Sequence, residues 1–253
     1  MKRPLILSVF MLFFACGGST KTDLTNTSAA AVAVVDMTAV SAAGNDAGTC
    51  LLTYQTKMDE ALPLAVIKKY YAGDFSKAEL EYRKSEKYAQ HDTYVYRWPS
   101  GKTKTQRVMG RQIDVPVKYE IGMAWIEEIK SKYNPDPVKA FYQMYHTPTP
   151  DEIKQTKDYL DKQLDKKLAE KGMTSPAEKN AGKAVAGTIM DRKIEFRKID
   201  GLGDAAAWDV PENRLHVLSG FTKFYVIAHV GDDNAANLAL AKKLAADVLA
   251  KCR

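Results

Sequence analysis

Residues 193–253 read KIEFRKIDGLGDAAAWDVPENRLHVLSGFTKFYVIAHVGDDNAANLALAKKLAADVLAKCR, and this stretch decides the fold. Three short runs have strand character. In 193–199, Ile194 and Phe196 share one face, while Lys193, Glu195 and Arg197 share the other. In 214–218, Leu215 and Val217 alternate with Arg214 and His216. Residues 223–230 are apolar on both sides, which predicts a strand in the middle of its sheet. Turn residues separate the runs: Gly201 and Gly203, then Pro211-Glu212-Asn213, then Ser219-Gly220. Asp232, Asp233 and Asn234 can cap a helix start. Beyond them Leu240, Ala241, Leu244, Ala245, Val248 and Cys252 recur at helical spacing, predicting an amphipathic helix laid on the sheet with Cys252 on its inner side.

The other end of the chain has a different character. Lys2 and Arg3 precede an apolar run over residues 5–14 that is too short to span a bilayer. Leu12-Phe13-Phe14-Ala15-Cys16-Gly17-Gly18 follows. The segment resembles a bacterial lipoprotein signal, which implies removal of residues 1–15 and lipidation of Cys16. The alternative is an ordinary secretory signal with an incidental cysteine. Residues 19–49 are rich in Ser, Thr, Ala, Val and Asn and hold no aromatic residue. Such a segment buries too little apolar surface to order itself. Residues 16–49 are therefore expected to form a tether, spanning about 30 Å if flexible.

The 253 residues allow one large domain or two small ones, and 45% hydrophobic with 27% charged residues is ordinary for a globular chain. The formal charge of +6 is too mild to indicate a nucleic-acid partner. Between tether and C-terminal stretch the pattern is mixed. The folded part is expected to begin at Cys50, with Thr53 capping a short helix through Met58, Ala61 and Leu62. Helical turns follow over 64–71 and 76–82. Strands are expected over 93–98, 103–109 and 115–126, with Pro99-Ser100-Gly101 as a turn and Gly110 as a break. Val115, Val117, Tyr119, Ile121, Met123 and Trp125 fall in one phase of the last strand. A helical insert at about 136–190 comes next. It opens at Asn134-Pro135-Asp136-Pro137, and it carries capping boxes at Thr149-Pro150-Asp151-Glu152 and Ser175-Pro176-Ala177-Glu178.

Strands and helices do not alternate one for one, which argues against a doubly wound parallel sheet. The fold class is α+β: a largely antiparallel sheet covered by helices, in a single domain over 50–253. The run Cys50-Leu51-Leu52-Thr53, the stretch Gly201-Leu202-Gly203-Asp204-Ala205-Ala206-Ala207-Trp208, and the closing Ala/Lys/Leu helix resemble a group of uncharacterised exported bacterial lipoproteins. Their architecture is similar to the PsbP fold of a photosystem II extrinsic protein. The resemblance implies a fold and a location in the cell envelope, with the domain in the periplasm or at the cell surface. It carries no catalytic residues.

No motif nominates a catalytic residue or a cofactor. Gly201-Leu202-Gly203-Asp204-Ala205-Ala206 matches a loose dinucleotide pattern, but Pro211 leaves no room for the helix that pattern needs, and Phe221 stands where an acid should. His91, His146, His216 and His229 lack metal-ligand spacing, though His216 and His229 could meet across adjacent strands. Glu127-Glu128 fits a solvated face better than an acid pair. Three features remain. Lys102, Lys104 and Arg107, with Arg111 and Lys118, form a basic hairpin suited to an acidic envelope partner or a glycan. Tyr82, Tyr88, Tyr94, Tyr96 and Trp98 could instead line a small-ligand pocket. With Cys16 acylated, Cys50 and Cys252 remain, at the two ends of the domain. In an oxidising compartment they are expected to form a disulfide, which would close a loop of roughly 200 residues; two buried free thiols are the alternative. The functional expectation is a membrane-anchored, non-enzymatic binding or scaffolding domain, with a ligand carrier and an envelope hydrolase as alternatives.

Overall fold

A computed structural model describes residues 45–85, 87–108, 111–129, 135–170, 172 and 193–253. The strands are β1 (Glu79–Arg83), β2 (Thr93–Val108), β3 (Arg111–Glu128), β4 (Phe196–Ile199), β5 (Ala205–Asp209), β6 (Arg214–Ser219) and β7 (Thr222–His229). The helices are α1 (Asn45–Leu52), α2 (Met58–Ala61), α3 (Leu64–Tyr70), α4 (Pro137–Met144), α5 (Pro150–Glu170) and α6 (Asn234–Ala250). One antiparallel sheet runs β1-β2-β3-β7-β6-β5-β4. It consists of two meanders joined where β3 pairs with β7, and the chain is α+β. The strand apolar on both faces, β7, lies fourth of the seven.

Local chemistry explains several element ends. The Asp136 carboxylate accepts the Lys139 N–H at the start of α4. At α5, Thr149 N–H donates to Glu152 Oε2 at 2.8 Å and Glu152 N–H donates to Thr149 Oγ1 at 3.3 Å, a capping box closed in both directions. Asp233 caps α6 by accepting from Ala235 and Ala236. Asn234 then accepts the Trp208 indole N–H at 2.9 Å, and Asn237 donates to Asn213 Oδ1 and the Gly231 carbonyl. These amides fasten the first turn of α6 to the β5–β6 turn.

The sheet's first face carries the main core. Ile121, Met123, Trp208, Leu215, Val217, Phe224 and Val226 meet Leu51, Met58 and Ile67 from α1–α3, and Leu240, Leu244 and Val248 from α6. A disulfide joins Cys50 and Cys252, whose Cα atoms lie 5.6 Å apart. It ties α1 to the end of α6.

Several expectations are corrected. Residues 76–82 are not helical: Glu79–Arg83 forms β1, because pairing with β2 satisfies its backbone more fully than an uncapped helical turn would. Ala205–Asp209, not among the expected strands, is a fully paired strand. Its alanines hid the strand signal, since they have little β propensity but fit between close layers. Pro99-Ser100-Gly101 does not reverse the chain; it is a register shift inside the long strand β2, with Gly101 at φ 76°. Thr53 caps no helix start. It follows α1 and its hydroxyl donates to the Cys50 carbonyl. Because α1 begins at Asn45 and the Thr222 hydroxyl donates to the Gly48 carbonyl at 2.8 Å, ordered structure starts before Cys50. The signal segment, Cys16, most of the tether, and the box at Ser175 with its helix lie outside the described residues.

Gly122 and Gly203 are required by close approach. A Cβ on Gly122 would stand 2.1 Å from the Tyr94 carbonyl oxygen on the neighbouring strand. At Gly203, φ is 63° and a Cβ would stand 2.3 Å from the Leu218 carbonyl oxygen. Asp204 N–H donates to that same carbonyl. The glycine pattern at 201–206 is thus a tight entry into β5, as its length limit required.

Candidate functional site

The second face of the sheet differs along its length. At the β4–β6 end, Phe141 of α4 with Val138, Tyr142 and Tyr145 covers Ala205, Ala207 and Leu218. At the β2–β3–β7 end, the buried cluster Val95, Ala124, Tyr225 and Ile227 consists of strand residues alone. It is closed over by large polar and aromatic side chains of the strands themselves.

These side chains form a continuous strip. At one end is Trp125, 40% exposed despite its size. Alternation placed it inward, in phase with Ile121 and Met123. Instead a bulge between Ala124 and Glu127 breaks the register with β7, Ile126 takes the inward position, and Trp125 has φ 56°. A left-handed backbone at a tryptophan costs about 1–3 kcal/mol. The surroundings hold it: Trp125 N–H donates to the Asp92 carbonyl at 3.0 Å, and buried Asp92 itself accepts Ser85 N–H at 2.7 Å. The indole stands edge-on to His91 at 5.4 Å and to Tyr225 at 5.6 Å between ring centres.

From Tyr225 the strip continues to Arg214, whose guanidinium lies 5.3 Å above the Tyr225 ring. Arg214 is one wall of a cleft of about 330 Å³ shared with Lys104, Lys118, Glu120, Glu212 and His229. The acids are engaged. Arg97 Nε lies 2.7 Å from Glu120, and Arg97 also meets Glu81; Arg214 lies 3.4 Å from Glu212. Neither Lys104 nor Lys118 has a carboxylate partner among the described residues. Burial, with Lys104 nearby, holds half-buried His229 below the usual imidazole value. The cleft is therefore cationic at neutral pH.

The predicted basic residues separate in space. Lys104 lines this cleft. Lys102 is ion-paired with Asp232 instead. Arg107 lies on β2 opposite Gln112, and its side chain is outside the described residues. His216 and His229 do not meet: His216 pairs in register with Tyr225 and is buried, stacked on Tyr145 at 4.1 Å. Burial pushes its pKa from 6.5 down to about 3, with Lys223 and Arg214 adding to the effect. Beneath it, buried Lys223 is ion-paired with Glu127. Burial opposes that ammonium charge, and Tyr145 with Glu127 outweighs it, so its pKa lies above the usual lysine value. This is a neutral imidazole above an ion pair, packed as core. Among the described residues no group of three or more His, Cys, Asp or Glu side chains could hold a metal, and no helix is long and apolar enough to cross a membrane.

The tyrosines also separate. Tyr94 is buried with its hydroxyl 3.0 Å from that of Tyr96, and the Tyr82 hydroxyl donates to Asp59 at 2.6 Å. A cleft of about 560 Å³ lies beside them, between Leu64, Lys68, Tyr71, Asp74, Phe75 and Tyr96. The sequence did not reveal Trp125 as an exposed group, because no residue type marks a bulge, nor Arg214 as a wall of the cleft.

Comparison of the chain with family models, curated proteins and solved structures finds no match.

Proposed function

We propose that this chain is an envelope lipoprotein, anchored through Cys16, whose domain is a non-enzymatic binding module for an acidic partner. The observation that carries the reading is the cleft on the second face, where Lys104 and Lys118 stand beside Arg214 without carboxylates of their own. Uncompensated cations in a concave site attract and orient polyanions. The exported-lipoprotein resemblance belongs to the same reading, with a PsbP-like domain, an insert over about 136–190 and an amphipathic closing helix. The positions of α4 and α5 between β3 and β4, and of α6 on the first face, support it.

The test measures retention on immobilised polyglutamate and polygalacturonate at physiological salt. The charge-reversed pair Lys104→Glu, Lys118→Glu should lose retention on both while melting where the parent does. Retention unchanged by that pair would sink the reading. Turnover of a generic ester, phosphate or glycoside, stopped by one Asp, Glu or His substitution in a folded variant, would overturn its non-enzymatic part. For the anchor, intact mass of membrane-extracted protein should show a diacylglyceryl group on Cys16, and an unmodified Cys16 would refute it. The cleft at Tyr71 and Phe75 favours a second reading, a small-ligand carrier. Saturable binding of a naphthalene sulfonate, lost in Phe75→Ala, would establish that one.

A further inference from the structure

We infer that the acidic partner is a polysaccharide, bound with a sugar ring stacked on Trp125 and its acid groups at Lys104, Lys118 and Arg214. This deepens the proposed function and rests on its cationic cleft. The geometry distinguishes a glycan from an acidic protein. A sugar ring presents a flat face of C–H groups, and its partner of choice is an exposed aromatic plane held still. Trp125 is such a plane. It is 40% exposed, and His91 and Tyr225 brace it edge-on. Among the three tryptophans it stands apart, because Trp208 is fully buried and Trp98 nearly so. The bulge turns it out of the core into a left-handed backbone held by the Asp92 carbonyl, and strain retained at an exposed residue is a mark of use. Tyr88, 48% exposed, extends the aromatic surface beside His91. Buried Tyr225 packs against both Trp125 and Arg214 and so fixes the exposed indole relative to the cations of the cleft. A repeating acidic sugar offers both features along one chain, whereas an acidic peptide offers only the charges.

The experiment compares the parent with Trp125→Gly and Trp125→Tyr on polygalacturonate, polyglutamate and neutral dextran. Glycine accepts the positive φ, so Trp125→Gly should melt no lower than the parent. It should weaken polygalacturonate binding about tenfold and leave polyglutamate binding unchanged, while Trp125→Tyr restores most of the loss. Dextran should not compete, since it has no charge for the cleft. Trp125 emission should change on adding polygalacturonate and should not change with polyglutamate. If Trp125→Gly affects both polymers equally, or neither, stacking is refuted and the acidic-partner reading stands alone. If the parent prefers polyglutamate, the partner is an acidic protein and this inference is wrong. If it binds neither polymer, the proposed function itself fails.

Discussion

The two faces of the one sheet follow opposite rules. The first is built of apolar side chains pressed under four helices: Trp208, Phe224, Leu215 and Ile121 against α1, α2, α3 and α6. Among the described residues the second is covered by α4 at one end, and elsewhere by its own Arg, Lys, Tyr and Trp side chains. Burial energy concentrates on the first face, whereas ionisable groups and the strained Trp125 concentrate on the second. The same strands supply both, because successive residues point to opposite sides. The core and the proposed recognition surface are thus separated by a residue's parity within a strand, and changes on the two faces should have different signatures.

The largest effect should come from the first face. Trp208→Ala removes a fully buried indole and its hydrogen bond to Asn234, and should cost about 3–5 kcal/mol in denaturant unfolding. A loss below about 1 kcal/mol would mean that this face is not the core. Next is the staple across it. Reduction of Cys50–Cys252, whose partners are 202 positions apart in the sequence, should cost about 2–5 kcal/mol. Two titratable thiols in denatured, unreduced protein would refute the bond.

A smaller effect belongs to the covered end of the second face. His216 is buried uncharged, against Tyr145, Tyr225, Lys223 and Arg214. Its folded pKa, about 3, lies below the ordinary 6.5, so the unfolded chain takes up the proton first as pH falls. Its contribution is complete well above pH 6.5 and is lost progressively towards pH 3, with a loss of about 2 kcal/mol by pH 5. His216→Phe keeps the ring stack and should flatten that slope. An unchanged pH profile would show that the imidazole is not excluded from water. The smallest stability effect is expected at the open end. Lys104→Glu with Lys118→Glu should shift stability by no more than about 0.5 kcal/mol, because exposed charges are screened. A large loss there would erase the contrast between the faces.

Much of the first face was legible in the sequence. Alternation in β6 and β7, turn residues at 201–203, 211–213 and 219–220, and the helical spacing of Leu240, Leu244 and Val248 are local signals, and local periodicity is enough to read them. The closed capping box at Thr149 and Glu152 was legible for the same reason. What failed was also local. Three alanines in its five residues concealed β5, and residues 76–82 looked helical until β2 offered a pairing edge.

By itself the sequence determined the α+β class, the central place of β7, the closing helix and the two cysteines able to staple the ends. Each follows from the period of apolar residues, from turn chemistry or from position along the chain. Only tertiary structure decided the candidate site. Lys104 and Lys118 meet Arg214 and His229 because β3 pairs with β7 across a long stretch of intervening chain. Lys102, equally basic on paper, is drawn off by Asp232. Trp125 faces solvent because a single bulge reverses its parity, held by a carbonyl on a neighbouring turn. Pairing register and bulges depend on which strands meet, and that depends on the packing of the whole sheet.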